Sequence, residues 1–176
     1  MEATTNTFRQ YYFCIQAMML KEPNRAFNDI LQKQGLKRPL CALLTSSIIY
    51  ALTSILVSRS ETPFFHFTVL LVNALGMVFI AAAIGYSILV VFSGRLIPFT
   101  KLLPIYALSS GITLLVAWIP YSLWFTELWK WWLIGTGLTK VCALKGGPVI
   151  ATIIGSIGII TLLFSWVLPY VTFHGG

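Results

Sequence analysis

Charged and apolar positions along this chain fall in blocks. From Thr62 to Gly94 there is no Asp, Glu, Lys or Arg, and about 20 apolar residues are enough to cross the roughly 30 Å hydrocarbon core of a bilayer. A basic, proline-bearing turn follows (Arg95, Pro98, Lys101), and a second apolar run opens at Leu102. The two runs read as a transmembrane hairpin whose turn its cations mark as cytoplasmic. Carried along the chain, the same pattern predicts five spans, over Leu40–Val57, Phe64–Phe92, Leu102–Ile119, Leu128–Leu144 and Pro148–Leu168.

Each span has its own signature. The second is long, which predicts tilt or protrusion at one end. In the third, Pro104 falls in the first turn and Pro120 ends the helix. The fourth carries Lys130 and Lys140, which are expected to snorkel towards opposite surfaces, beside an aromatic belt in LWKWW. Small residues line up at helical spacing: Ser47, Ala51, Ser54 and Ser58 on the first span, Ala81 and Gly85 on the second, Gly155 and Gly158 on the fifth. Such stripes let helix backbones approach closely inside a membrane.

Ahead of the spans the period changes. Phe8, Tyr11, Tyr12, Ile15, Met18 and Met19 follow the i, i+3, i+4, i+7 rule of one helical face. After Pro23, Ala26, Phe27, Ile30 and Leu31 line one face while Arg25, Asp29 and Lys33 line another, and Gly35 is a natural stop. The pattern therefore predicts an all-α membrane protein: five transmembrane helices with an amphipathic cytoplasmic N-terminal helical segment. The expected division is 1–38 for that segment, 39–170 for the spans and 171–176 for a short tail.

Composition sharpens this. Of the 176 residues 57% are hydrophobic and 10% charged, against about 25% charged in soluble domains, so a water-soluble fold would lack polar surface. The net charge of +7 is not gathered into one patch, which argues against nucleic acid as a partner. Of the 12 Lys and Arg, all but Arg59 and Lys130 fall on the N-terminal side of the expected bilayer. The N-terminus is then cytoplasmic and the C-terminus outside. Cys14, Cys41 and Cys142 have no metal-site spacing, and an odd number makes no disulfide framework.

Reactive chemistry is sparse. The predicted spans hold no Asp, Glu127 is the one acid nearby, and His66 and His174 have no second ligand at metal spacing. GTGLTK lacks the spacing of a phosphate-binding loop. No catalytic residue, metal or cofactor is expected. Three features stand out instead. Asn73 in a membrane core predicts an interhelical hydrogen bond. Tyr86, beside Gly85, is a candidate for a lipid or partner contact. Arg95, Lys101, Lys140 and Lys145 are expected to form a basic ring at inner headgroup depth, facing anionic lipid.

Several stretches resemble the Yip1-domain family of five-span membrane proteins. LKEPNRAFNDIL is similar to the Pro-plus-Phe helix before the first span of prokaryotic members, and AIGYSILVVF carries a Gly-Tyr pair in the second. SGRLIPFTKLLPIYALSS is similar to the family's turn with its following Tyr-Ala, and LIGTGLTKVCALKGG to the fourth span and its exit. The resemblance implies a protein that acts by association. Eukaryotic relatives reside in ER and Golgi membranes, form complexes with one another and are tied to prenylated Rab-type GTPases and vesicle traffic. This chain lacks their acidic Asp-Leu-Tyr-Gly-Pro-like motif, and its compact form resembles prokaryotic members of a cytoplasmic membrane.

The expected function is a non-enzymatic scaffold or adaptor binding membrane lipids, other membrane proteins or further copies of itself. The alternative is a small transporter or channel component with a polar route past Asn73, Tyr86 and Lys140.

Overall fold

In the computed structural model, the described residues are 21–23, 27, 36–58, 62–94, 97–119 and 121–173, the side chains of 123 and 167–173 excepted. They form five long helices: α1 (Lys37–Ser58), α2 (Pro63–Ser93), α3 (Phe99–Ala117), α4 (Leu123–Val141) and α5 (Gly146–Phe173). Of these, α1, α2, α3 and the Gly146–Trp166 part of α5 are long and apolar enough to cross a membrane. The 19-residue α4, with Glu127, Lys130 and Lys140, does not reach that apolarity. The expected amphipathic segment over 1–38 lies outside the described residues, save at 21–23, at Phe27 and from Leu36 on.

Helix α3 is the axis. Within the membrane-crossing stretches, 67% of α3 is buried inside the chain, against 28% of α1 and of α2 and 17% of α5. Helices α1, α2 and α4 pack on α3, α5 packs on α2 and α4, and all turn their remaining faces outwards, where Leu52, Val72, Ile154 and Leu162 stand exposed. In water such surfaces would drive aggregation; against lipid tails they cost nothing. Packing here rests on dispersion and close fit, because lipid is as apolar as leucine.

Close fit needs small residues at the crossings. The buried stripe of α1 is Pro39, Ala42, Leu43, Ser46, Ser47 and Ala51. It lies on α3 at Gly111, where a Cβ would stand 3.5 Å from Ser46 Oγ and 3.6 Å from the Leu43 Cα. On α5, Gly155 lies against Ile88 of α2 in the same way. Hydroxyls along these faces mostly bond carbonyls of their own helix: Ser47 donates to Leu43 O at 2.9 Å, Thr113 to Ser110 O at 3.0 Å and Thr152 to Pro148 O at 2.8 Å. In an apolar surround this keeps polar atoms satisfied without crossing helices.

Helix boundaries follow local chemistry. Pro63 opens α2 in the first turn, where a missing N–H costs nothing, and Gly94 closes it in the left-handed conformation at φ 59°. With 31 residues α2 is about 46 Å long, well beyond the hydrocarbon core. Helix α3 starts at Phe99, earlier than the apolar run suggests, because Lys101 N–H already donates to Pro98 O at 2.9 Å. Pro104 is thus inside the helix and not in its first turn, and the Thr100 carbonyl loses its usual donor. At the other end, the Val116 and Ile119 carbonyls accept the Ile119 and Ser122 N–H groups, and Ser122 Oγ lies 2.9 and 2.8 Å from the same two oxygens, tightening the turn that ends α3.

Phe27, from the expected N-terminal segment, reaches into the bundle. Its side chain is fully buried and belongs to the same core as Leu102, Ile105, Leu133 and Leu138. Gly137 of α4 makes the room: a Cβ there would stand 3.2 Å from two Phe27 ring carbons and overlap Ile105 of α3.

Candidate functional site

A cavity of about 400 Å³ opens between α2, α3, α4 and α5, with Tyr50 of α1 also on its wall. The lining runs from one end of the bundle to just past its middle: Asn73 to Ala81 of α2, Ala117 back to Tyr106 of α3, Thr126 to Ile134 of α4, and Ile157 to Phe164 of α5. The wall is mixed. Met77, Val78, Leu114 and Ile160 are apolar, whereas Asn73, Ser110, Thr113 and the Glu127–Lys130 pair bring polar groups into it.

The charged pair sits one turn apart on α4. Lys130 Nζ lies 2.6 Å from Glu127 Oε1, with the Lys130 side chain 21% exposed and that of Glu127 54%. The ammonium also lies 5.6 Å from the centre of the Trp131 ring, within cation–π range. Lys130 therefore faces the cavity with a partner, where sequence alone has it snorkelling to the surface. The opposite face of α4 shows Trp124, Phe125, Leu128 and Trp132 to the outside.

Tyr106 closes the inner end. Its side chain is fully buried, and its hydroxyl lies against Gly85 of α2 and near the Ser156 hydroxyl of α5, without a well-formed hydrogen bond between the two; the buried Ser109 hydroxyl has no partner. Past Tyr106 the bundle is apolar and dense, with Leu89, Leu102, Ile105 and Leu138 fully buried.

The expected polar residues separate. Asn73 lines the cavity from an exposed position on α2, and no hydrogen bond joins its side chain to another described residue. Tyr86 lies beyond Gly85, its ring edge-on to Phe99 at 5.6 Å and 85°. Lys101, Lys140 and Lys145 stand exposed at the end of the bundle where α3 begins, α4 ends and α5 begins. None of the three has an ion-pair partner among the described residues. Arg95 lies outside the described residues. In the α4–α5 connection, burial pushes the Cys142 thiol up, opposed by the charge of Lys101 nearby. Among the described residues no three His, Cys, Asp or Glu side chains gather at one point.

Sequence reasoning missed the cavity's own residues: Tyr106, Ser110, Thr113, Glu127 and Lys130. A signal exists for the last two, because an acid and a base at i, i+3 inside an aromatic belt, ELWK, pair more readily than they snorkel. No curated protein and no solved structure matches the chain. The Yip1 domain does, across residues 17–168, a match that takes in α1 to α4 and most of α5; the chain belongs to the Yip1 domain family.

Proposed function

We propose that the protein is a non-enzymatic integral membrane scaffold or adaptor, working by association with lipids or other membrane proteins. In this reading all five helices span the bilayer, α4 included, with the N-terminus cytoplasmic and the C-terminus outside. The observation that carries the reading is where the cavity lining stops. It reaches Tyr106 from one side of the bundle and meets packed Leu89, Leu102, Ile105 and Leu138 beyond. A blind, mixed-polarity recess holds a ligand; a path for solutes needs two mouths.

Transport is the second reading, favoured by the polar wall from Asn73 to Tyr106. It needs a route onwards past Tyr86 and Lys140, and neither residue lines the cavity. Purified protein in sealed liposomes tests the choice. Binding predicts ion and solute leak equal to empty liposomes, together with tight retention of lipid through purification. Leak above the empty control that Tyr106→Ala increases further would establish transport instead.

A further inference from the structure

The two ends of the bundle present opposite kinds of charge. At the end with Lys101, Lys140 and Lys145, cations stand exposed with no acid beside them among the described residues. At the cavity end, Lys130 and Glu127 are locked together at 2.6 Å. A net anion brought to this pair meets attraction from Lys130 and repulsion from Glu127 in about equal measure. A headgroup carrying both signs meets neither penalty, because its dipole lies antiparallel to that of the pair.

Depth and shape select the same class. Trp131 lies beside the pair and Trp124 and Trp132 stand on the outward face of the same stretch of α4, and tryptophans of this kind mark headgroup level. From there the cavity runs inwards along Met77, Val78, Ala81 and Ile160 to the Tyr106 floor. It therefore offers a charged dipole at the mouth and an apolar channel below, with a volume at the small end of ordinary ligand sites. One acyl chain with its ester region against Asn73 and Thr113 matches that order of groups.

We infer that the cavity binds a phospholipid with a zwitterionic phosphate–ammonium headgroup, the phosphate facing Lys130, the ammonium facing Glu127 and one chain entering towards Tyr106. This rests on the binding reading above and names its ligand.

Native mass spectrometry of the full chain, released from nanodiscs of equal parts phosphatidylethanolamine and phosphatidylglycerol with matched chains, tests it. The wild type is expected to retain phosphatidylethanolamine over phosphatidylglycerol by about fivefold, the worth of one charge contact near a membrane surface. Glu127→Gln is expected to reverse the preference towards the anionic lipid, and Lys130→Gln to abolish retention of either. Both side chains reach the cavity mouth from one helix face, and the charge-swapped pair Glu127→Lys with Lys130→Glu is expected to restore phosphatidylethanolamine, which separates headgroup matching from damage to the fold. Retention of lipid without headgroup preference, or the same preference in both single variants, would overturn the assignment while leaving the binding reading intact. Equal retention of chainless glycerophosphoethanolamine would overturn the lipid as its source. Retention of no lipid by the folded wild type would remove both.

Discussion

Gly85 of α2 and Tyr106 of α3 occupy one another's space: a Cβ at Gly85 would stand 2.8 Å from Tyr106 Cζ and overlap its hydroxyl. The ring that closes the cavity is therefore in place because the facing residue has no side chain. Gly85→Ala is expected to destabilise the bundle by about 1–3 kcal/mol, the range for overpacked cores. Tyr106→Leu made in the same chain relieves most of that loss, so the two changes are strongly non-additive. Tyr106→Phe removes a hydroxyl that faces Ser156 without a well-formed hydrogen bond and is expected to be close to neutral. Thermal unfolding in detergent reads all three, and additive losses would contradict the contact.

Phe27 supplies a second test of packing. It is fully buried among α3 and α4 side chains although it precedes the first span. Phe27→Ala should remove about 3–5 kcal/mol, as for a buried aromatic, and Gly137→Ala should destabilise by overlapping Ile105 and crowding the same ring. A merely loosened N-terminal segment, with the melting of the helices unchanged, would place Phe27 outside the core.

The architecture was largely written in the spacing of charge. An uncharged run from Thr62 to Gly94 leaves no alternative to a long buried or membrane helix, and α2 follows it nearly residue for residue. Glycines such as Gly85 and Gly155 flagged close helix crossings, and both lie at one. The site was much less legible. Tyr106, Ser110 and Thr113 sit inside an apolar span, and whether they face lipid, core or a cavity depends on the rotation of α3 against its neighbours, which no local pattern carries. Asn73, Tyr86 and Lys140 drew attention as polar groups in apolar runs, yet they fall in three different surroundings. Phe27 lies on the predicted amphipathic face, but such a face looks the same whether it meets a membrane surface or the body of the protein, so its place in the core was not legible.

The basic end makes its own prediction. If Lys101, Lys140 and Lys145 meet anionic headgroups, Lys140→Gln should lower co-purified phosphatidylglycerol by about fivefold, since each such charge near an anionic surface is worth about 1 kcal/mol. Lys140→Arg should retain it, because the requirement is charge and not shape. Equal loss in both variants, or no loss in either, would show that Lys140 is not part of a lipid contact.

Topology decides whether α4 crosses. In a chain with Cys14, Cys41 and Cys142 replaced by serine, single cysteines at Thr62 and Gly175 should react with an impermeant thiol reagent outside intact cells. Those at Ser93 and Gly146 should not react until the membrane is opened. External labelling at Gly146 would leave α4 on the surface and reduce the spans to the four most apolar helices.

The central claim is a recess with one mouth, and sided access to Asn73 tests it most directly. Asn73→Cys, in the same cysteine-free chain, places a thiol on the cavity wall without touching the Glu127–Lys130 pair. An impermeant maleimide applied to sealed, uniformly oriented vesicles should label it from the side of the α4 N-terminus and leave it unlabelled from the side of Lys101 and Lys145. Labelling from both sides at comparable rates would show a continuous route past Tyr106 and contradict the account.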